Sequence, residues 1–336
     1  MSIGPPRRGT LDSTSMHTLN GDRPGFASIA ASTTLNTMPE LPDLVVYEEA
    51  LQSHVMGSSI EKVRLGSPFV VRSVEPEITA IERRVVTGVR RLGKQLVLSL
   101  EEDLHLVLHL MIAGRLRWKE RGVAIPKKRG LAAFDFSRGS LLLTEASTQR
   151  RASIRLVCGP AALDAFDRGG LEVLQAGPDE FRSVITRENH TLKRALTDPT
   201  MLSGIGNAYS DEILHAARLS PLALTLQLTE EEIERLYRAT CSTLIEWTER
   251  LRREARGAFP DKVRAFHPDM AVHGRYRMPC PVCDAPIQRI RYAQTEVNYC
   301  AQCQTGGRVL ADRAMSRLLK KDWPRSLEEW EERLGG

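Results

Sequence analysis

The segment CPVCDAPIQRIRYAQTEVNYCAQC, residues 280–303, decides how the rest of the chain is read. Cys280 and Cys283 form one C-x-x-C pair and Cys300 and Cys303 a second, with sixteen residues between the pairs. Tetrahedral zinc takes four thiolates when an intervening hairpin brings two tight knuckles together, and four protein sulfurs leave no position open for a substrate. The spacing predicts a structural module holding one zinc ion. Its hairpin either presents Arg289, Arg291 and Arg308 to phosphates or leaves them as solvated surface charge. Cys158 and Cys241 stand alone in apolar stretches and are read as packing thiols. Six cysteines in 336 residues are too few for a disulfide scaffold, so a reducing, cytoplasmic setting is expected, at the nucleoid if the protein is bacterial.

N-terminal to this module the apolar spacing is helical. Thr229 with Glu232 forms a capping box ahead of Ile233, Leu236, Thr240, Leu244, Trp247 and Leu251. Ser210 to Arg218 reads as a second helix. Leu192, Ala195 and Leu196 mark a third, which Asp198-Pro199 stops. Gly204-Ile205-Gly206-Asn207 joins two of these helices, and Gly206 would let a phosphate approach backbone N–H groups at a helix start, with Lys193 as a second phosphate contact or an exposed lysine. A plain structural turn explains the glycines equally well. Beyond the metal module, Ser326 and Glu329 cap a last amphipathic helix bearing Leu327, Trp330 and Leu334.

Further toward the N-terminus the period changes to two. Gln95–Leu100 and Leu104–Met111 alternate around Glu101-Glu102-Asp103, and a second alternating pair flanks Ser137-Arg138-Gly139-Ser140. A helix starts just after Glu40, with Leu44, Tyr47 and Leu51 on one face. Residues 1–37 lack apolar periodicity and read as a disordered extension, or as a translation start placed too far upstream. The expected fold is α+β: a sheet-rich domain over 38–175, helices over 176–265, a zinc finger over 266–305 and a helical tail over 306–336.

Composition, at 42% hydrophobic and 26% charged, excludes a fibre or a disordered tail, and no apolar run approaches the ~18 residues that cross a bilayer. Net charge is +5, yet residues 83–129 hold twelve Lys/Arg against four Asp/Glu, a clustering that points to a polyanionic partner.

Met38-Pro39-Glu40-Leu41-Pro42-Asp43, Gly204-Ile205-Gly206-Asn207 and the two cysteine pairs, in that order, resemble the formamidopyrimidine-DNA glycosylase and endonuclease VIII family over about residues 38–305. The resemblance implies an N-terminal β-sandwich with flanking helices, a helix-two-turn-helix domain and a zinc finger. It also implies chemistry. Freed of Met38, Pro39 would carry a secondary amine able to form a Schiff base with a sugar C1′, which no internal proline can do because its nitrogen lone pair is delocalised into an amide. Glu40 would be the acid–base group protonating the sugar ring oxygen. Lys94 matches the family's active-site lysine near the lesion's phosphate, and Asn207 the phosphate-binding asparagine. Asp43 stands where the family has a glutamate. Arg151 matches the arginine that fills the space left by a flipped base.

Several positions depart from the pattern. Ala152 replaces the aromatic wedge after that arginine, and the methionine wedge falls on Ile112, with Met111 beside it. Thr295 stands for an arginine of the zinc hairpin, which bears on a second, δ-elimination step. Gly257-Ala258-Phe259-Pro260-Asp261-Lys262 occupies the loop that reads oxidised guanine, so purine specificity does not carry over. The expected protein is a monomeric bifunctional DNA glycosylase and apurinic/apyrimidinic lyase acting on oxidised bases in damaged duplex DNA, with no membrane and no small-molecule cofactor. The alternatives are a lyase with little glycosylase activity, and a zinc protein that binds damaged DNA without cutting it.

Overall fold

The computed structural model describes residues 38–260, 267–292, 295–311, 324 and 326–329. Residues 1–37, Asp261 and Lys262, and Trp330 and Leu334 of the expected last helix lie outside the described residues.

The chain opens with helix α1 (Leu41–Val55), then strands β1 (Lys62–Leu65), β2 (Val86–Leu92), β3 (Gln95–Leu100), β4 (Leu104–His109), β5 (Gly114–Lys119), β6 (Gly130–Phe136), β7 (Gly139–Glu145) and β8 (Ser153–Cys158). These make two four-stranded antiparallel sheets, ordered β1-β6-β7-β5 and β2-β3-β4-β8. Both expected hairpins form: Leu98 pairs with Leu106 across β3–β4, and Phe136 with Gly139 across β6–β7. Leu96, Leu98, Leu106 and Leu108 point into the core between the sheets, while Val97 and Val107 pack outward against Leu163 of helix α2 (Pro160–Asp164). β4 ends at His109, two residues short of the alternation, because Met111 turns the chain with φ +52°.

Helix α1 joins two cores. Leu44, Tyr47, Leu51 and Val55, spaced on one face, fill the sandwich, whereas Leu41 belongs to the helical core. Each such buried side chain contributes about 1.5–3 kcal/mol. The helical core packs α3 (Pro178–Ile185), α4 (Leu192–Thr197), α5 (Asn207–Ala216) and α6 (Glu230–Ala255) around Leu202, Ile213, Leu236 and Trp247. The α6 capping box is present: Thr229 Oγ accepts the Glu232 N–H at 3.2 Å, and Glu232 accepts the Thr229 N–H at 3.0 Å. Strands β9 (Ile287–Tyr292) and β10 (Thr295–Cys300) form the hairpin between the cysteine pairs, followed by α7 (Ala301–Thr305). Ser326 Oγ accepts the Glu329 N–H at 3.2 Å, as the capping pattern predicts. Among the described residues no helix is long and apolar enough to cross a membrane.

Two sequence expectations need correction. α5 starts at Asn207, three residues before Ser210. Cys158 is exposed at the end of β8, its sulfur near the Glu102 carbonyl, so it is not a packing thiol, whereas Cys241 does pack against the helical core. Phe259 leaves the loop after α6 and packs into the sandwich core against Tyr47.

Candidate active site

The start of α1 faces the start of α5. The Glu40 N–H donates to Asp43 Oδ2 at 3.0 Å, and the Leu41 N–H donates to the Gly204 carbonyl at 2.9 Å, fastening the chain just after Pro39 to the turn before α5. Glu40 is only 2% exposed. Its carboxylate accepts the N–H groups of Gly206 at 2.7 Å, Ala208 at 2.8 Å and Tyr209 at 3.1 Å. The donors expected to meet a phosphate at Gly206 are therefore occupied by the protein's own carboxylate, which satisfies the unpaired N–H groups of the α5 start. Gly206 is needed for space: its φ of −130° suits any residue, but a Cβ there would lie 2.5 Å from Glu40 Cδ and 2.8 Å from Lys94 Nζ. The ammonium and the carboxylate thus flank the same glycine.

Lys94 sits in the two-residue turn between β2 and β3, and burial lowers its pKa against the opposing pull of Glu40. Asp43, behind Glu40, is pushed up to about 7, chiefly by burial. Arg91 ties this region together: it donates to the Gly93 carbonyl at 2.7 Å, to Ser203 Oγ at 3.2 Å and to Glu172. Beside Lys94 opens a cleft of about 550 Å³ whose lining includes Met38, His109, Arg155, Phe166 and Arg168. Burial, aided by Arg155 and Lys94, holds His109 down at about 4, so it is a neutral imidazole at pH 7 among cations. His109 and Arg155 were not singled out in the sequence. Their signal was the alternation of β4 and β8, which places both off the sandwich core.

From this point α5 runs to the cysteines. Asn207 Nδ2 donates to the Glu296 carbonyl of β10 at 2.9 Å. Asp211, fully buried, accepts from Lys193, from His273 Nδ1 at 2.8 Å and from the Asn298 N–H at 3.1 Å. Burial alone would raise Asp211, but Lys193 and His273 outweigh it and hold the carboxyl below its ordinary value. Glu212 accepts the N–H groups of Ala271, Val272 and His273 at 2.7–3.0 Å. His215 Nε2 lies 3.3 Å from Cys280 Sγ, placed to orient a sulfur ligand. The sulfurs of Cys280, Cys283, Cys300 and Cys303 lie within 4.8 Å of one another. Sulfur–sulfur separations of 3.4, 3.4 and 3.9 Å match the ~3.8 Å spacing that ~2.3 Å metal–sulfur bonds give a tetrahedral ion. The four cysteines could hold one metal ion.

Residues 38–152 match the model of the formamidopyrimidine-DNA glycosylase N-terminal domain, and residues 172–254 that of the formamidopyrimidine-DNA glycosylase H2TH domain. The formamidopyrimidine-DNA glycosylase of Thermus thermophilus is 33% identical over 281 residues, covering 80% of this chain and all of that protein. The chain belongs to the formamidopyrimidine-DNA glycosylase family. An uncharacterized formamidopyrimidine-DNA glycosylase-like protein of Mycobacterium tuberculosis is 36% identical over 151 residues, 45% of this chain and 94% of that one. The Lactococcus lactis Fpg, solved with DNA containing an abasic site, shares the fold with a TM-score of 0.70 at 23% identity, over 79% of this chain and 99% of that one.

Other family positions fall as follows. Lys193 is buried rather than exposed, its ammonium bonded to the Asn207 carbonyl at 2.7 Å and paired with Asp211, so the charge expected at a phosphate is committed to the interior. Arg151 is exposed, and its N–H and that of Ala152 both donate to Glu145 at 3.1 Å. Ala152 is 3% exposed and belongs to the sandwich core, so nothing projects from the family's aromatic wedge position. Ile112, 37% exposed, stands on the turn after β4, with Met111 half-buried beside it. In the metal hairpin, Arg289 lies over the Tyr276 ring at 4.1 Å and pairs with Glu296 at 3.6 Å, while Arg291 and Arg308 are exposed.

Proposed function

We propose that this family member is a bifunctional DNA glycosylase and apurinic/apyrimidinic lyase that binds damaged duplex DNA as a monomer and excises oxidised bases. The observation that carries this reading is the carboxylate of Glu40, next to buried Pro39, clamped by three N–H groups of the α5 start and flanked by Lys94. A side chain so constrained is held in place before substrate arrives, which general acid–base work requires.

The reaction needs the Pro39 nitrogen as a free amine, hence a chain that begins at Pro39 in the active form. That amine would attack C1′ of the damaged nucleotide. The N–C1′ bond forms, the glycosidic bond breaks, and the departing base takes a proton. Glu40 takes the proton that the attacking amine sheds and passes it to the sugar ring oxygen as the C1′–O4′ bond breaks and the ring opens, while the base draws its proton from water. The resulting iminium has no N–H to lose, so it stays an electron sink: a proton leaves C2′, the C3′–O bond breaks and the 3′ phosphate departs. The α1 N-terminus lies beside the amine and disfavours its protonation. Lys94 and the cations of the adjoining cleft would meet phosphates near the lesion. Zinc on the four cysteines would tie the two C-x-x-C pairs together at the ends of the β9–β10 hairpin, supplying structure and not chemistry.

The test is single-turnover excision on duplexes with one oxidised base or one abasic site, comparing wild type with Glu40→Gln. Base release should collapse in the variant while binding persists. Equal excision by both would remove Glu40 from the chemistry, and binding without excision by either would favour the non-cutting reader.

A further inference from the structure

Phe69 is 79% exposed on the short turn Pro68–Val70, although Ser67 and Val70 on either side are buried. Its surroundings are basic. Val71 forms a parallel bridge with Ile154, and the Arg72 N–H donates to the Ile154 carbonyl at 2.8 Å. Two residues before that rung stand Phe69 on one segment and Ala152 on the other. The N–H groups of Gly66 and Ser67 both reach the Leu131 carbonyl, at 2.8 and 3.1 Å. Glu145 holds Arg151 and Ala152 through its carboxylate and donates its own N–H to Arg129, while Arg150 donates to the Lys128 carbonyl at 3.1 Å. Three segments therefore converge at one end of the sandwich and carry exposed Arg72, Lys128, Arg129, Arg150 and Arg151. Among the described residues none of these five is paired with a carboxylate, and Glu145 is spent on backbone N–H groups.

An exposed apolar ring on an end of the sandwich that also carries exposed cations fits a base flanked by its phosphates, where the ring stacks and the cations meet the backbone. We propose that Phe69 stacks on a base left unpaired at the lesion step of damaged duplex DNA. This rests on the duplex-DNA reading above, and it supplies the apolar surface that Ala152, buried in the core, does not. The two positions reach the same end of the sandwich from different segments, so a family pattern written around residue 152 would not reveal the exchange.

The test uses the full chain and a duplex with an uncleavable tetrahydrofuran abasic analogue opposite 2-aminopurine, alongside the undamaged duplex. Fluorescence anisotropy reads affinity, and 2-aminopurine emission reads unstacking. Wild type should prefer the damaged duplex and change the emission. Phe69→Ala should lose at least about fivefold in affinity for the damaged duplex, keep its affinity for the undamaged one, and lose the emission change. Phe69→Trp should restore both, with its own fluorescence quenched on binding. Phe69→Ala matching wild type within twofold in affinity and emission would overturn the Phe69 proposal alone. A wild type that fails to distinguish the two duplexes would overturn the functional reading with it.

Discussion

Replacing Gly206 by Ala isolates the Glu40 clamp. The added Cβ would stand 2.5 Å from Glu40 Cδ and Oε1 and 2.8 Å from Lys94 Nζ, where ordinary contacts begin at 3.4 Å. Glu40 must retreat by about an ångström, lengthening its bonds from Gly206 and Ala208 beyond hydrogen-bond range. Hydrogen bonds to a charged acceptor are worth about 1.5–3 kcal/mol each, and an ångström of misplacement costs a catalytic group about 100-fold. The chemical step should therefore slow about 100-fold, or ~2.7 kcal/mol, in single-turnover scission of an abasic duplex under enzyme excess. Binding measured by anisotropy should move less than about threefold, because the clamp contributes position rather than charge. Gly88→Ala is the control: its Cβ meets nothing closer than 3.5 Å, and its rate should equal that of wild type. Scission by Gly206→Ala within threefold of wild type would refute the clamp as the source of Glu40's function.

Other consequences are equally concrete. Because burial raises Asp43 from 3.8 to about 7, the folded state favours the protonated form; this contribution is full below pH ~4 and is lost as pH rises through 7. Asp43→Asn should remove that downward slope in urea-derived stability between pH 4 and 7, and an unchanged slope would contradict the burial argument. Asp211→Asn leaves the Lys193 ammonium buried without its partner and should cost about 3–5 kcal/mol in the same assay. Metal analysis should find one zinc per chain, and Cys283→Ser or a strong chelator should lower both metal content and Tm; full metal retention by the variant would exclude the four-sulfur site.

What could be read from the sequence was what neighbouring residues decide. The two hairpins, the α6 cap and the paired cysteines each express a period or spacing within a few residues or one turn. α5 starts three residues before the point that local spacing indicates because its cap comes from Glu40, 166 positions away from Gly206. The same distance hides what occupies the glycine turn: two glycines before a helix suit a phosphate cradle or a plain structural turn, and only the fold brings a carboxylate there. Lys193 reads locally as a phosphate contact or an exposed lysine because nothing near it announces Asp211, one turn into another helix. His109 and Arg155 came together only through the pairing of β4 with β8. No local pattern around Phe69 announces that the fold leaves its ring exposed.

The central claim, Pro39 as nucleophile positioned by Glu40, is tested most directly by borohydride trapping on duplex DNA with one abasic site, comparing a protein that starts at Pro39 with the full 336-residue chain. The shorter protein should form a covalent adduct that peptide mass spectrometry places on the Pro39 nitrogen, and the full chain should form none. An adduct on the intact chain, with residues 1–37 still attached and the linkage on Lys94, would contradict the claim.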